Sequence, residues 1–494
     1  MKFNALRLVL LTAVIVNQLW NAHANVASPR PFASHQPDGT PLSLHVRGDE
    51  WFHWYETLDG HAVVLDPHTG YWVYLLPNAS GTNLLSSQRV GLDTPPAAAW
   101  HPFPTAEQLS ARKVWQSVSP QQPHAMTVNS IGMGLMPVLL GNFSDTTPTV
   151  SAGTFSNLLF ATGSGVQSMA TYYREVSYGK FTVAAGPSGI QNWVTVPNTA
   201  AYYGATNPAY ANAVDIRAGK FVRDVVVGAV AAGYDFSPYD LDGDGKVDVV
   251  CVVHAGLGED YGGGPNTIWS HRSSLSAALG TNGPVIIQTK RGSITVDDYI
   301  VEPEVQPKPG GATGVDPIGI GVFCHEYGHA LGLPDLYDPT YVSRGVGDWS
   351  VMSYGSHNGL VKDGDCPAHF DAWCKAKLGW LAPVNYTLDY QNVPFPAAAQ
   401  TAFAARMWKD GLSSSEYFLV ENRYRTNFDA ALPASGLLIW HIDDSKGVLN
   451  DNNDNTKAWF PAVATFAANT NTGNNHVALV QADKLWELET KVNT

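Results

Sequence analysis

The chain has 494 residues, 45% of them apolar, long enough for two or three domains each with its own core. Acidic residues outnumber basic ones 43 to 29, and the resulting net charge of −14 argues against nucleic acid as a partner, since phosphates need clustered Lys and Arg. Such a surface suits hard cations or simple solubility, and the 15 Trp, 21 Tyr and 18 Phe fit a β-rich protein without identifying a ligand.

The first element is a leader. Lys2 and Arg7 precede an apolar run from Leu6 to Trp20, and Ala22-His23-Ala24 supplies small residues around a cut before Asn25. Residues 1–24 are therefore expected to be a secretory signal peptide, its apolar run too short to span a bilayer. No stable membrane insertion is expected, and the mature protein should be secreted, outside the cell or in the periplasm. From 25 to 125 the pattern alternates. His45 to Tyr55, the Leu58-Asp59-Gly60 turn and Ala62-Val63-Val64-Leu65 predict a hairpin. Arg47-Gly48-Asp49 spells an adhesion tripeptide, but three residues match too easily to count. A Pro-, Ala- and Gln-rich linker follows from Thr94 to Pro123, so this module has the layout of a propeptide.

Residues 126–385 carry mixed α/β patterning. Strands are expected at Met136 to Phe143 and Lys246 to His254, and helices at Ser164 to Val176, Ala209 to Ala232 (stopped by Gly233) and Ile318 to Leu331. Residues 386–494 turn to strands again, clearest at Tyr417 to Glu421 and Gly436 to Ile442, with polar Asn-rich loops from Asp443 to Lys457 and Ala467 to Asn475. Four cysteines, Cys251, Cys324, Cys366 and Cys374, allow two disulfides in three pairings.

The chemistry lies in His325-Glu326-Tyr327-Gly328-His329. Two histidines at i and i+4 share one helical face and can reach one zinc ion, with Glu326 as general base for the water it binds. Gly332, three residues past His329, is placed for a left-handed helix stop, Pro334 prevents the helix from resuming, and Asp335 follows six residues after His329 as third ligand. The run H-E-x-x-H-x-x-G-x-x-D is of the metzincin type, in which a methionine in a tight turn underlies the metal. Met352 lies at a suitable distance for that turn, and Tyr354 could donate to the oxyanion forming at the scissile carbonyl. The expected fold is α+β: a metzincin-like zinc protease catalytic domain with an N-terminal propeptide and a β-rich C-terminal domain.

With its Leu333-Pro334-Asp335-Leu336-Tyr337-Asp338 extension, the zinc segment resembles the immune inhibitor A family of secreted bacterial metalloproteases. So do Arg174 to Lys180, His254-Ala255-Gly256, Ile268-Trp269-Ser270-His271, Asp371 to Trp380, Glu416 to Arg423 and Gly436 to Asp443. The resemblance implies secretion as a zymogen, an Asp as third zinc ligand, structural calcium, and protein or peptide substrates. Cys324, just before His325, departs from the small or apolar residue expected there, and the chain stops soon after Leu479 to Asp483, where relatives usually continue.

Asp240, Asp242, Asp244 and Asp248 resemble the first part of an EF-hand loop with Gly245 at its bend; position twelve is Cys251, so Asp248 is the expected substitute. The strand following it is expected to border the cleft, as in metzincin architecture. A Cys251–Cys324 bridge would then tie cleft wall to metal site, with Cys366–Cys374 as a local bridge. The propeptide has no cysteine, so any latency ligand should be an acid or His. Two other functions compete: a gluzincin using Glu421, which leaves Gly332 and Asp335 unexplained, and an inactive secreted calcium-binding or adhesion protein on a protease scaffold.

Overall fold

The computed structural model describes residues 22–77, 83–97, 99–100, 102–104, 126–206, 215–289, 292–339, 341, 343–408, 411–446 and 476–480. The leader up to residue 21, most of the linker, the first Asn-rich tract beyond Lys446 and the whole of the second lie outside these residues.

At the centre is a seven-stranded mixed sheet. Six strands run in the order Ala22–Ala24, His271–Ser274, Asp298–Pro307, Val250–Leu257, Val138–Asn142 and Ile190–Thr195, and Val315–Pro317 also pairs with Asp298–Pro307. Val250–Leu257 is parallel to both neighbours and buried along most of its length, which is why its sequence is an unbroken apolar run rather than an alternating one. The strand after the acidic loop is thus internal and does not border the cleft as expected. That position belongs to His271–Ser274, which is antiparallel to Asp298–Pro307 and takes Ala22–Ala24 on its other side.

Helices form where their caps allow. Met169–Val176 starts later than its pattern, because Ser168 and Thr171 make a reciprocal capping box at that point. Ala218–Ala231 ends before Gly233, whose φ is +86°. Gly321–Ala330, the helix with both histidines, is buried along its whole length and packs against His271–Ser274 and its neighbour Asp298–Pro307.

Before this unit, a six-stranded antiparallel meander runs from Phe32–His35 to Asn83–Arg89. The single hairpin expected from His45 to Leu65 is three strands, Pro41–Gly48, His53–Thr57 and Ala62–Leu65. Gly48 causes the extra turn: at φ +104° a Cβ would sit 2.0 Å from the Phe52 carbonyl oxygen. Arg47 pairs with Glu56, and Asp49 is fully buried, accepting a hydrogen bond from Tyr337 Oη at 2.9 Å, so the tripeptide is a piece of framework. The meander docks through aromatic faces, with Phe52 stacked on Tyr341 and His53 on Trp269.

After the central unit comes a five-stranded sheet that includes Glu416–Arg423 and Gly436–Asp443. Its Leu419, Trp440 and Val477 belong to the same apolar cluster as Phe323, Cys324 and Met352 of the central unit. All four cysteines are buried free thiols, contrary to the bridges expected. Cys251 faces Glu302 at 3.5 Å, Cys366 faces the Asn427 carbonyl at 3.4 Å, and Cys324 sits inside the shared core.

Candidate metal and peptide site

The histidine corner is built by two local devices. Past Leu331, Gly332 takes φ +90°, its N–H reaching the His329 carbonyl at 2.9 Å and the Leu333 N–H the Gly328 carbonyl at 3.2 Å. This is a Schellman stop, and it turns the chain back across the helix end. Asp335 then brings Oδ1 to 3.1 Å from His325 Nε2 and 3.2 Å from His329 Nε2, the two nitrogens being 3.1 Å apart.

The second device fixes the rings. His325 Nδ1 lies 2.8 Å from the Val351 carbonyl, and His329 Nδ1 lies 2.8 Å from that of Leu333. Carbonyl oxygens only accept, so each Nδ1 carries hydrogen and each Nε2 of a neutral ring presents a lone pair. Burial also holds the His329 pKa below its usual value, although Asp335 opposes this. Three acceptor atoms therefore face one point, an arrangement that asks for a cation. A tetrahedral ion with ligands at about 2.0–2.1 Å separates its ligand atoms by about 3.3 Å, close to the observed triangle. The site fits such a metal.

Glu326 is completely buried, and one of its oxygens lies within 4.8 Å of a nitrogen of each histidine. Its Oε1, however, accepts the main-chain N–H of Asn25 at 2.8 Å, while Oε2 has no hydrogen-bond partner among the described residues. Asp335 Oδ1, by contrast, touches both Nε2 atoms. Burial, with Glu302, Asp335 and Glu50 nearby, pushes the Glu326 carboxyl well above the usual carboxylate range. Glu50 belongs to the turn after Gly48, an acid of the N-terminal segment that sequence reasoning did not pick out.

Met352 packs from below: a Cβ on Gly328 would lie 2.6 Å from Met352 Sδ. Tyr354 opens a short 3-10 turn to His357, its ring 4.0 Å from the Arg344 guanidinium carbon.

Residues that sequence reasoning missed surround the segment Asn25–Ser28. Trp269 Nε1 donates to the Asn25 carbonyl at 2.9 Å, and Ser356 Oγ to Asn25 Oδ1 at 2.8 Å. His357 Nε2 meets the Val26 carbonyl at 2.8 Å and its Nδ1 meets Asp363 Oδ1 at 2.9 Å. Both partners are oxygens. Burial opposes charge on the ring, but Asp363 outweighs it and the His357 pKa is raised, so both ring nitrogens can donate. The Ser28 hydroxyl donates to Asp363 Oδ2. Of these residues, only Trp269 lay in a segment that the sequence marked.

Of the four aspartates expected to bind calcium, Asp240, Asp242 and Asp244 converge. Asp248 does not join them: its Oδ1 accepts from Leu241 N at 3.1 Å, and burial, with the other three aspartates adding to it, pushes its pKa up to about 7.

Known proteins with similar sequences point to one family. Residues 150–381 match the model of the immune inhibitor A peptidase M6 catalytic domain. Immune inhibitor A of Bacillus thuringiensis subsp. alesti is 36% identical over 234 residues, covering 42% of this chain and 31% of that protein. The pre-pro-metalloprotease PrtV of Vibrio cholerae serotype O1 (strain M66-2) is 34% identical over 238 residues, covering 44% of this chain and 24% of its own length. The chain thus spans about a third or less of these curated relatives. The matched region holds both histidines, Glu326, Asp335 and Met352, so residues 150–381, just under half of the chain, are similar to the catalytic domain of immune inhibitor A (M6) peptidases.

Proposed function

We propose that this chain is a secreted zinc-dependent endopeptidase acting on proteins or peptides, made as a zymogen. In this reading residues 1–24 are the signal peptide, 25–125 the propeptide and linker, 126–385 the metzincin-like catalytic domain and 386–494 a β-rich C-terminal domain. The observation that carries it is the triangle of His325, His329 and Asp335 beside a glutamate that already touches the main-chain nitrogen of Asn25. Bound zinc would polarise the scissile carbonyl and acidify a water.

The rest falls to the chain. Val351 and Leu333 hold the rings in the metal-binding tautomer, and Met352 sets the floor. Glu326 takes the proton from the attacking water and passes it to the leaving nitrogen, with Oε1 within reach of a main-chain nitrogen and Oε2 free for water. Tyr354 steadies the oxyanion once the N-terminal segment has left. Asp240, Asp242 and Asp244 bind a structural calcium ion, which braces the turn into the central strand. One relative's name supports the reading, since it is called a pre-pro-metalloprotease.

The test is hydrolysis of a quenched protein substrate by the processed protein, with calcium, with and without a zinc chelator, beside Glu326→Ala. Loss of activity in both arms, with zinc still bound by the variant, supports the mechanism. Zinc binding without cleavage of several protein substrates transfers the case to an inactive binding protein.

A further inference from the structure

The N-terminal segment crosses the metal site as an extended peptide, and its contacts give a direction. In peptide hydrolysis the leaving nitrogen must receive a proton, and Glu326 is the group that supplies it. Among the described residues, the main-chain nitrogen hydrogen-bonded to Glu326 is that of Asn25, at 2.8 Å. Asn25 therefore stands where the first residue on the amine side of a cut bond would stand, and Val26 to Ser28 continue along that side.

Successive carbonyls of an extended chain point to opposite sides. Two donors receive them from separate elements. Trp269, two residues before the strand His271–Ser274, takes the Asn25 carbonyl at 2.9 Å, and His357, after the methionine turn, takes the Val26 carbonyl at 2.8 Å. Ser356 reads the first side chain through Asn25 Oδ1 at 2.8 Å. These three residues are buried beneath a segment that any substrate would have to displace.

We infer that Trp269 and His357 are the carbonyl anchors for the first two residues on the amine side of the bond cut, that Ser356 lines the pocket for the first of their side chains, and that Asn25–Ser28 occupies this track in the zymogen. The inference rests on the proteolytic reading and adds a substrate requirement to it: peptides should extend at least two residues beyond the cut.

The test uses the full chain, folded intact and then nicked by limited proteolysis within residues 105–125. Two quenched peptides share a sequence up to the first residue after the cut bond; one ends there as an amide and the other carries two further residues. The wild type should prefer the longer peptide in kcat/KM. In His357→Ala that preference should drop roughly tenfold, the usual effect of losing a charge-assisted hydrogen bond. Trp269→Phe, which keeps the ring and removes the donor, should raise KM for both peptides. His357→Gln, which keeps an N–H donor, should recover part of the preference. The synthetic peptide Asn-Val-Ala-Ser amide should inhibit the wild type about tenfold more strongly than His357→Ala.

An equal loss on both peptides, with unchanged inhibition by the tetrapeptide, would mean that His357 only supports the fold and would overturn the inference. If the nicked wild type cuts neither peptide nor a denatured protein, the proteolytic reading falls and takes this one with it. If it cuts both peptides equally well, only the track assignment fails.

Discussion

Gly332→Ala tests whether the helix stop or the histidines alone make the metal corner. Gly332 sits at φ +90°, where an L side chain costs about 1–2 kcal/mol. The helix-forming advantage of Ala, about 1 kcal/mol inside a helix, does not offset this, because the helix ends at Ala330 and Leu331 is its cap. The variant can bear the strain or relax it. If borne, the metal-free protein loses about 1–2 kcal/mol and melts a few degrees lower. If relaxed, Leu333 swings, its carbonyl leaves His329 Nδ1, now 2.8 Å away, and Asp335 moves off the triangle. Metal affinity then falls about 5- to 30-fold, since each 1.4 kcal/mol is about tenfold. The two losses together should total about 1–2 kcal/mol. Thermal unfolding in chelator measures the first, and competition for zinc against a chromophoric chelator measures the second. A variant that matches wild type in both would refute the claim that the left-handed turn delivers the third ligand.

Glu326→Gln should keep its metal and its fold, because the amide oxygen can still accept from Asn25 N, while hydrolysis drops by about 10²–10⁴ once the general base is gone; metal content and turnover check the two halves separately. Asp429→Asn should cost about 3–5 kcal/mol by urea unfolding, because it leaves the fully buried Arg423 without the bidentate partner it holds at 2.5 and 2.6 Å. Burial opposes charge on Asp429, but Arg423 outweighs it and holds the carboxyl well below the ordinary range. Its contribution to stability is therefore complete above about pH 4 and is lost as the pH falls through the depressed value, a slope that the variant should lack. Alkylation followed by intact-mass measurement should label no cysteine in the folded protein and all four after unfolding without reductant, since all four are buried and unbridged. Replacing Asp240, Asp242 and Asp244 with Asn should abolish any rise in melting temperature on adding calcium; an unchanged rise would remove that loop from consideration.

Legibility followed sequence distance. The metal corner could be read because it is local: an i, i+4 pair, a helix stop three residues on and an acid three beyond that are fixed by helix geometry. Met352 was legible because its turn follows closely. Trp269, Ser356 and His357 were not, because they acquire meaning only when Asn25 and Val26, 244 to 331 residues away, come to lie between them. Secondary structure failed where a backbone feature overrode a side-chain pattern. The run His45 to Tyr55 has strand-forming residues on both sides of Gly48-Asp49-Glu50, and there Gly48 and the buried Asp49 turn it, with Asp49 Oδ1 accepting from Trp51 and Phe52 N–H. The acidic loop resembled a four-ligand site in sequence spacing, but Asp248 points inward to stabilise the loop itself.

The contacts that build the corner and those that cover it close loops of very different size. His325 meets Asp335 across 10 residues, whereas Asn25 meets Glu326 across 301. For flexible chains that difference costs about 3 kcal/mol more in closure entropy, so the ligand corner should form first and the cover arrive late. If the proteolytic reading holds, folding then includes an interval in which a metal-binding corner able to cut peptides stands beside unfolded copies of its own chain. Metal supply decides whether that interval is dangerous. Chains refolded in chelator and given zinc afterwards should remain intact, and chains refolded with zinc present should nick one another, increasingly so at higher protein concentration.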